Sequence, residues 1–222
     1  SLDRLGVDYI DLFYVHRRDF KIPIEEVTHY LAKFVEKGKV KNIGFSEIAP
    51  TSLIKASKVH HIAAVQSEYS LSTRSPEMGL VQNCKELGTA LVAFSPVGRS
   101  FLTDTPLSYE SGQKLDFTKN NPRFIKENYH ENIRLTEKFR TYAKNIGFKT
   151  ATLAIAWLLN QGEHIIPIPG TRSVSHLNQL AAARDIDLTD EIVSQIERIL
   201  PIGWAYGDRY SDLQWVGPER YC

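Results

Sequence analysis

Cysteine is scarce in this sequence: two occur, Cys84 and Cys222, in 222 residues. That excludes a disulfide framework as the basis of the fold and makes a reducing, cytoplasmic compartment the expectation. An excess of charge of one sign is lacking as well. Lys and Arg number 27 against 26 acidic residues, a net charge of +1, so nothing points to nucleic acid or an anionic membrane surface as a partner. No apolar run approaches the ~20 residues of a membrane span. The longest, such as 151–159, are core-sized.

Several signatures of chemistry are also missing. No GxGxxG follows a strand pattern and no GxxxxGKS/T occurs, so the usual phosphate fingerprints of open α/β sheets are absent. There is no GxSxG and no Ser-His-Asp order of a hydrolase. No His, Cys and carboxylate set has ligand spacing, so no metal is expected. His60 and His61 are adjacent, and consecutive residues of an extended strand point apart.

What is present is an ordinary globular composition, 42% hydrophobic and 24% charged, enough for one domain over residues 1–222. Tyr9–Val15 is an apolar, β-branched and aromatic run that reads as a buried parallel strand. Ile24, Val27, Leu31, Phe34 and Val35 fall on one helical face, which Gly38 stops. Further strands are read at Val40–Phe45, Ala63–Gln66, Ala90–Phe94 and Ile165–Ile168. Helices are read at Pro50–Val59, Pro76–Leu87, Asn132–Asn145, Thr150–Asn160, Ser173–Ala183 and Thr189–Leu200. Ser100–Glu131, rich in Asn, Pro, Ser, Lys and Tyr, reads as one long loop. Alternating strands and helices with short connections predict parallel α/β architecture.

In such folds the chemistry sits at the C-terminal ends of strands. Those ends read His16-Arg17, Ser46-Glu47, Gln66-Ser67-Glu68, Ser95-Pro96-Val97-Gly98-Arg99 and Pro169-Gly170-Thr171-Arg172-Ser173. Each of the five carries hydrogen-bonding side chains, which is more than solvated loops alone require.

The segments GVDYIDLFYVHRRD, GKVKNIGFSE, AAVQSEYSL, ELGTALVAFSPVGRSFLT and IIPIPGTRSVSHL, with GDRY near the C-terminus, resemble successive motifs of the aldo-keto reductases. The resemblance runs through nearly the whole chain and rests on the ordered set rather than on any one motif. It implies a (β/α)₈ TIM barrel, incomplete here because these motifs belong to strands four to eight, with the first three β/α units missing. It also implies reduction of small-molecule aldehydes or ketones by hydride transfer from NADP(H). A non-catalytic nicotinamide-binding regulatory subunit, as in the potassium-channel β-subunit branch, is the alternative within the same fold.

Residue roles follow from the same resemblance. His16, in YVHRR, matches the active-site histidine that donates a hydrogen bond to the substrate carbonyl. Taken alone, it reads more simply as a residue closing a strand. Ser46 and Gln66 match groups that bind the nicotinamide carboxamide, and Glu47 stands where many members carry Asn. Phe94 matches the ring stacked on the nicotinamide. Ser95, Val97, Gly98 and Arg99 match the pyrophosphate loop, while Gly170, Thr171 and Arg172 match the opening of the helix that takes the adenosine 2′-phosphate. Gln179 is placed at the adenine. His176 and Leu180 depart from the Arg and Asn frequent at their positions, which weakens the adenosine end. The Tyr general acid and its Lys and Asp partners belong to earlier strands, so about 80–100 residues are expected upstream and the present chain alone is expected to be inactive. Trp204, Tyr206, Tyr210 and Trp215 are expected to wall the substrate pocket. Oligomeric state is left open.

Overall fold

The computed structural model describes residues 1–222. They divide into two compact units: one of residues 1–67, 75–92 and 217–222, the other of residues 68–74 and 93–216. Strands β3 and β4, defined below, each pass from the first unit into the second.

The first unit opens with a short helix, α1 (Leu2–Leu5), and strand β1 (Ile10–Val15). Helix α2 (Ile24–Glu36) buries Ile24, Thr28, Leu31 and Ala32, one stripe of its surface. Phe34, read above as part of that stripe, is instead 50% exposed. Lys37 closes the helix and Gly38, at φ 66°, turns the chain left-handed toward the next strand. Strand β2 (Val40–Ser46) follows, then helix α3 (Pro50–Ser57), which begins at its proline because that residue has no N–H to leave unsatisfied. Strand β3 (Ala64–Glu68), a 3₁₀ turn at Ser75–Met78, helix α4 (Leu80–Glu86) and strand β4 (Ala90–Phe94) complete this part. Gly79 at φ 135° separates the turn from α4, so the single helix read over Pro76–Leu87 is two pieces.

β1 pairs with β2 and β2 with β3, both parallel. Their register sets Ser46 directly beside Gln66. Gly44 lets the strands sit close, since a Cβ there would lie 2.8 Å from the Ala64 carbonyl oxygen. Cys84 is fully buried, and burial pushes its thiol up to about 12, which leaves it inert as a nucleophile at neutral pH. Neither cysteine is in a disulfide.

The second unit is mainly helical. Helices α5 (Tyr109–Gly112) and α6 (Asp116–Lys119) and a 3₁₀ turn at Pro122–Phe124 lie within the segment read as one loop. Helix α7 (Lys126–Asn145) starts six residues before the Asn132 assigned to it from sequence. The correction has a local cause. Ser108 caps α5 through Ser111 N, the Asn121 side chain accepts from Arg123 N, and Phe101, Phe124 and Tyr129 pack into a small core. Most polar residues between these anchors face water and mask them in the sequence, whereas Thr118 and Arg123 are buried.

Helix α8 (Thr150–Leu159) is apolar on every side and is buried from Thr150 to Leu158, as a helix without a polar face must be. Its Trp157 is fully buried, set edge-on to Tyr69 at 6.0 Å and covered by the Arg74 guanidinium at 4.9 Å. Strand β5 (Ile165–Pro167) precedes helix α9 (Val174–Ala181), a 3₁₀ turn at Ala182–Asp185, and helix α10 (Asp190–Ile199), capped by Thr189 as its sequence suggests. The full sheet order is β1-β2-β3-β4-β5. No helix is long and apolar enough to cross a membrane.

Candidate functional site

In the first unit the polar groups gather where β1, β2 and β3 end. His16 follows β1 with its side chain exposed. Arg17 donates from Nη1 to the His16 carbonyl at 2.6 Å and to Ser46 Oγ at 3.0 Å. Ser46 Oγ in turn donates to the Gln66 carbonyl oxygen at 3.1 Å. Glu47 is held at φ 57°, a left-handed backbone, with its N–H on the Gln66 carbonyl at 2.8 Å. His16, Ser46, Glu47 and Gln66 are thereby linked through adjacent strand ends, with Arg17 tying the first two together.

Sequence reading missed the chain end that joins this cluster. Glu219 bonds Arg18 Nε at 2.7 Å, the Ala49 N–H at 2.8 Å and Ser52 Oγ at 2.6 Å. Its own N–H donates to the Glu47 carbonyl at 2.8 Å. One carboxylate thus takes the Ala49 N–H and the Ser52 hydroxyl at the start of α3 and fixes Arg18. Nothing in the local sequence of Glu219 announces this.

In the second unit a cavity of about 620 Å³ is lined by Ser95, Val97, Arg99, Gly170, Thr171 and Gln179, all singled out from the sequence. His176 and Leu180 line it too, as does Lys149, which sequence reading passed over. Gly98, Phe94 and Arg172 are not on its wall. Phe94 ends β4 half-buried, and Arg172 is exposed next to Thr171. Ser173 caps α9 by accepting from His176 N at 3.4 Å.

The turn after β4 is conformationally costly. Ser95, Arg99 and Ser100 all have positive φ, at 50°, 51° and 81°, in addition to Gly98 at 58°. Non-glycine residues take this region rarely, and it persists only when the surroundings impose it. A Cβ on Gly98 would collide with Ser72 Oγ and lie 3.3 Å from Leu102 Cγ. Gly98→Ala is therefore expected to lower the melting temperature by roughly 3–8 °C, from strain and overlap of about 1–3 kcal/mol. Differential scanning fluorimetry checks this, and an unchanged melting point would show that the turn is pliable.

On the rim of the cavity, Asp104 accepts from Thr150 N at 3.0 Å and from Thr150 Oγ1 at 2.6 Å, opening α8. Lys149 Nζ lies 3.8 Å from the same carboxyl group. Partial burial works to raise the Asp104 pKa, but the Thr150 hydrogen bonds and the Lys149 charge together hold it below the usual carboxylate value.

Trp204 and Tyr210, expected in a substrate wall, are buried. Trp204 Nε1 donates to the Leu71 carbonyl at 2.7 Å, and Tyr210 packs edge-on to Phe117 and Trp215. Tyr206 is 49% exposed.

The chain thus has parallel strands β1–β3 with polar residues at their ends, and in the second unit a cavity beside the opening of α9. The chain belongs to the aldo/keto reductase family, whose profile matches residues 1–201. It is 42% identical over 210 residues to "Probable aldo-keto reductase 1" of Glycine max, a match covering 95% of this chain and 60% of that protein. It is 38% identical over 213 residues to the Schizosaccharomyces pombe aldo-keto reductase yakc, described as NADP(+)-dependent, covering 95% and 63%. Among solved structures it is similar to the glycerol dehydrogenase AKR11B4 of Gluconobacter oxydans, with TM-score 0.77 and 26% identity over 90% of this chain and 61% of that one. A thermostable aldo-keto reductase, Tm1743, solved with the inhibitor epalrestat, gives TM-score 0.69 and 27% identity over 89% and 62%. The chain thus spans about six-tenths of the length of these relatives.

Proposed function

We propose that this chain supplies the cofactor-binding part, and one catalytic side chain, of an NADPH-dependent reductase of aldehydes and ketones. The observation that carries the reading is the cavity of the second unit. A strained turn and the opening of α9 face one space of about 620 Å³, within the usual size range of small-molecule sites. Lys149 provides a cation on its wall and Thr171 a hydroxyl, which suits the phosphates of a dinucleotide. Arg172, exposed beside Thr171, is within the same turn and can add a second cation to a 2′-phosphate.

When bound, NADPH supplies the hydride. The residues of this chain do the rest of what is assigned to them. Ser46 and Gln66, adjacent in register, offer both donors and acceptors to a carboxamide. His16 donates a hydrogen bond to a carbonyl oxygen and thereby stabilises the negative charge that grows there as hydride arrives. The five strands are assigned to the later β/α units of a closed (β/α)₈ barrel, and two details support this. Every β1 residue but Asp11 is only partly buried, and Ile166 and Ile168, in β5 and just after it, are 49% and 42% exposed, as for strands that pair further. A cytoplasmic setting fits the scarcity of cysteine.

The test uses the complete gene product. NADPH absorbance should fall only when an aldehyde or ketone is added. Cofactor binding without turnover across a broad carbonyl panel would favour the regulatory-subunit reading, and absence of NADPH binding would refute both. Arg172→Ala is expected to weaken NADPH about tenfold, the ~1.4 kcal/mol of one charge-assisted contact, and to leave NADH within about twofold. Equal losses for the two cofactors would remove Arg172 from the 2′-phosphate.

A further inference from the structure

Outside the groups used above, the second unit holds an unusual buried cluster. Glu68, at the end of β3, has a side chain with no exposure, and three arginine side chains that are 4–9% exposed surround it. Arg99 Nη2 reaches Glu68 Oε2 at 2.5 Å, Arg123 Nη1 reaches Oε1 at 3.4 Å, and Arg209 Nη1 stands 4.0 Å from Oε2. Thr73 Oγ1 donates to Oε1 at 3.0 Å.

We infer that Glu68 and Arg99 form a positioning pair that imposes the shape of the turn at 95–100, and that Arg99 acts on a bound phosphate through that backbone rather than by its own charge. This rests on the cavity being the cofactor site proposed above. The guanidinium of Arg99 is engaged at both Nη atoms and over aromatic rings. Besides Glu68, it donates from Nη1 to the Arg209 carbonyl at 2.7 Å and lies over the rings of Phe117 at 4.6 Å and Tyr210 at 5.3 Å. To pair with a phosphate it would have to give up Glu68 Oε2, the Arg209 carbonyl and its stacking on both rings together. The backbone of the same residue is left-handed, as are Ser95, Gly98 and Ser100. A side chain anchored at its far end is what holds such a turn against relaxation. Lys149, 63% exposed and 3.8 Å from Asp104, is in contrast free to turn toward an anion in the cavity.

Arg99→Lys and Arg99→Met in the complete gene product separate the two roles. Lysine keeps the charge but cannot bond Glu68 and the Arg209 carbonyl together while stacking on both rings. Positioning therefore requires the two variants to behave alike. Each should raise the dissociation constants of NADPH and NADH by about tenfold, leave kcat at saturating NADPH within about twofold, and speed hydrogen exchange of the 95–102 amides. Arg99→Lys binding both cofactors as the parent does, with only Arg99→Met impaired, would overturn the inference in favour of direct charge. So would unchanged exchange in both variants. Should the parent protein bind neither cofactor, the proposed function falls, and the exchange comparison alone still decides whether Arg99 holds the turn.

Discussion

His16→Ala in the complete gene product is expected to lower kcat for carbonyl reduction by roughly 10²–10³-fold, the usual effect of removing one donor aimed at a developing oxyanion. The NADPH dissociation constant should change by less than about threefold. The split follows from where the residue stands. His16 lies beyond the last residue of β1 with an exposed side chain, while its backbone carbonyl is fixed by Arg17. Loss of this exposed imidazole removes no buried side chain, and Arg17 donates to Ser46 independently of it. Steady-state kinetics with fluorescence titration of NADPH separate the two quantities. His16→Gln, which keeps an N–H donor, should recover part of the lost rate. A kcat for His16→Ala equal to the parent's would show that the carbonyl is polarised elsewhere.

Trp157→Ala carries the largest expected cost in stability, about 3–5 kcal/mol, as for other buried large aromatic side chains. Trp157 is fully buried in α8, a helix that has no solvent face on which to compensate. The change empties the space between Tyr69 and Arg74. Urea denaturation should show a midpoint lower by about 1–5 M, taking the usual dependence of roughly 1–3 kcal/mol per molar. Leu213, 85% exposed, provides the comparison: Leu213→Ala should leave the midpoint unchanged. A small loss for Trp157→Ala would mean that α8 repacks readily and does not anchor the wall of the cavity through Ala151 and Leu180.

The strands and most of the long helices are legible because their signals are local, the first six residues of α7 excepted. Ile24–Glu36 and Ala90–Phe94 carry the right apolar spacing between a starting proline or threonine and a stopping glycine or polar turn, and the structure places them over those residues. The strand-end pattern likewise located Ser46 and Gln66 before their register was known. What could not be read depends on contacts distant in sequence. Glu68 meets arginines at 99, 123 and 209, and Glu219 meets Arg18 and Ala49, pairings set only by the fold. Lys149 carries no local signal that sets it apart, and only the fold brings it to the cavity. The short helices within 109–119 were hidden by composition, since residues that cap turns and residues that fill loops are the same types. Phe34 shows the reverse error. Periodicity put it on the buried stripe of α2, yet it is half-exposed.

The most direct measurement is the ratio of NADPH to NADH dissociation constants for the complete gene product, taken by quenching of its intrinsic fluorescence in the same buffer. Binding of NADPH at least about tenfold tighter is expected if cations at the cavity receive a 2′-phosphate. Equal affinity for the two dinucleotides, or binding of neither, would contradict the placement of the cofactor's adenosine end there.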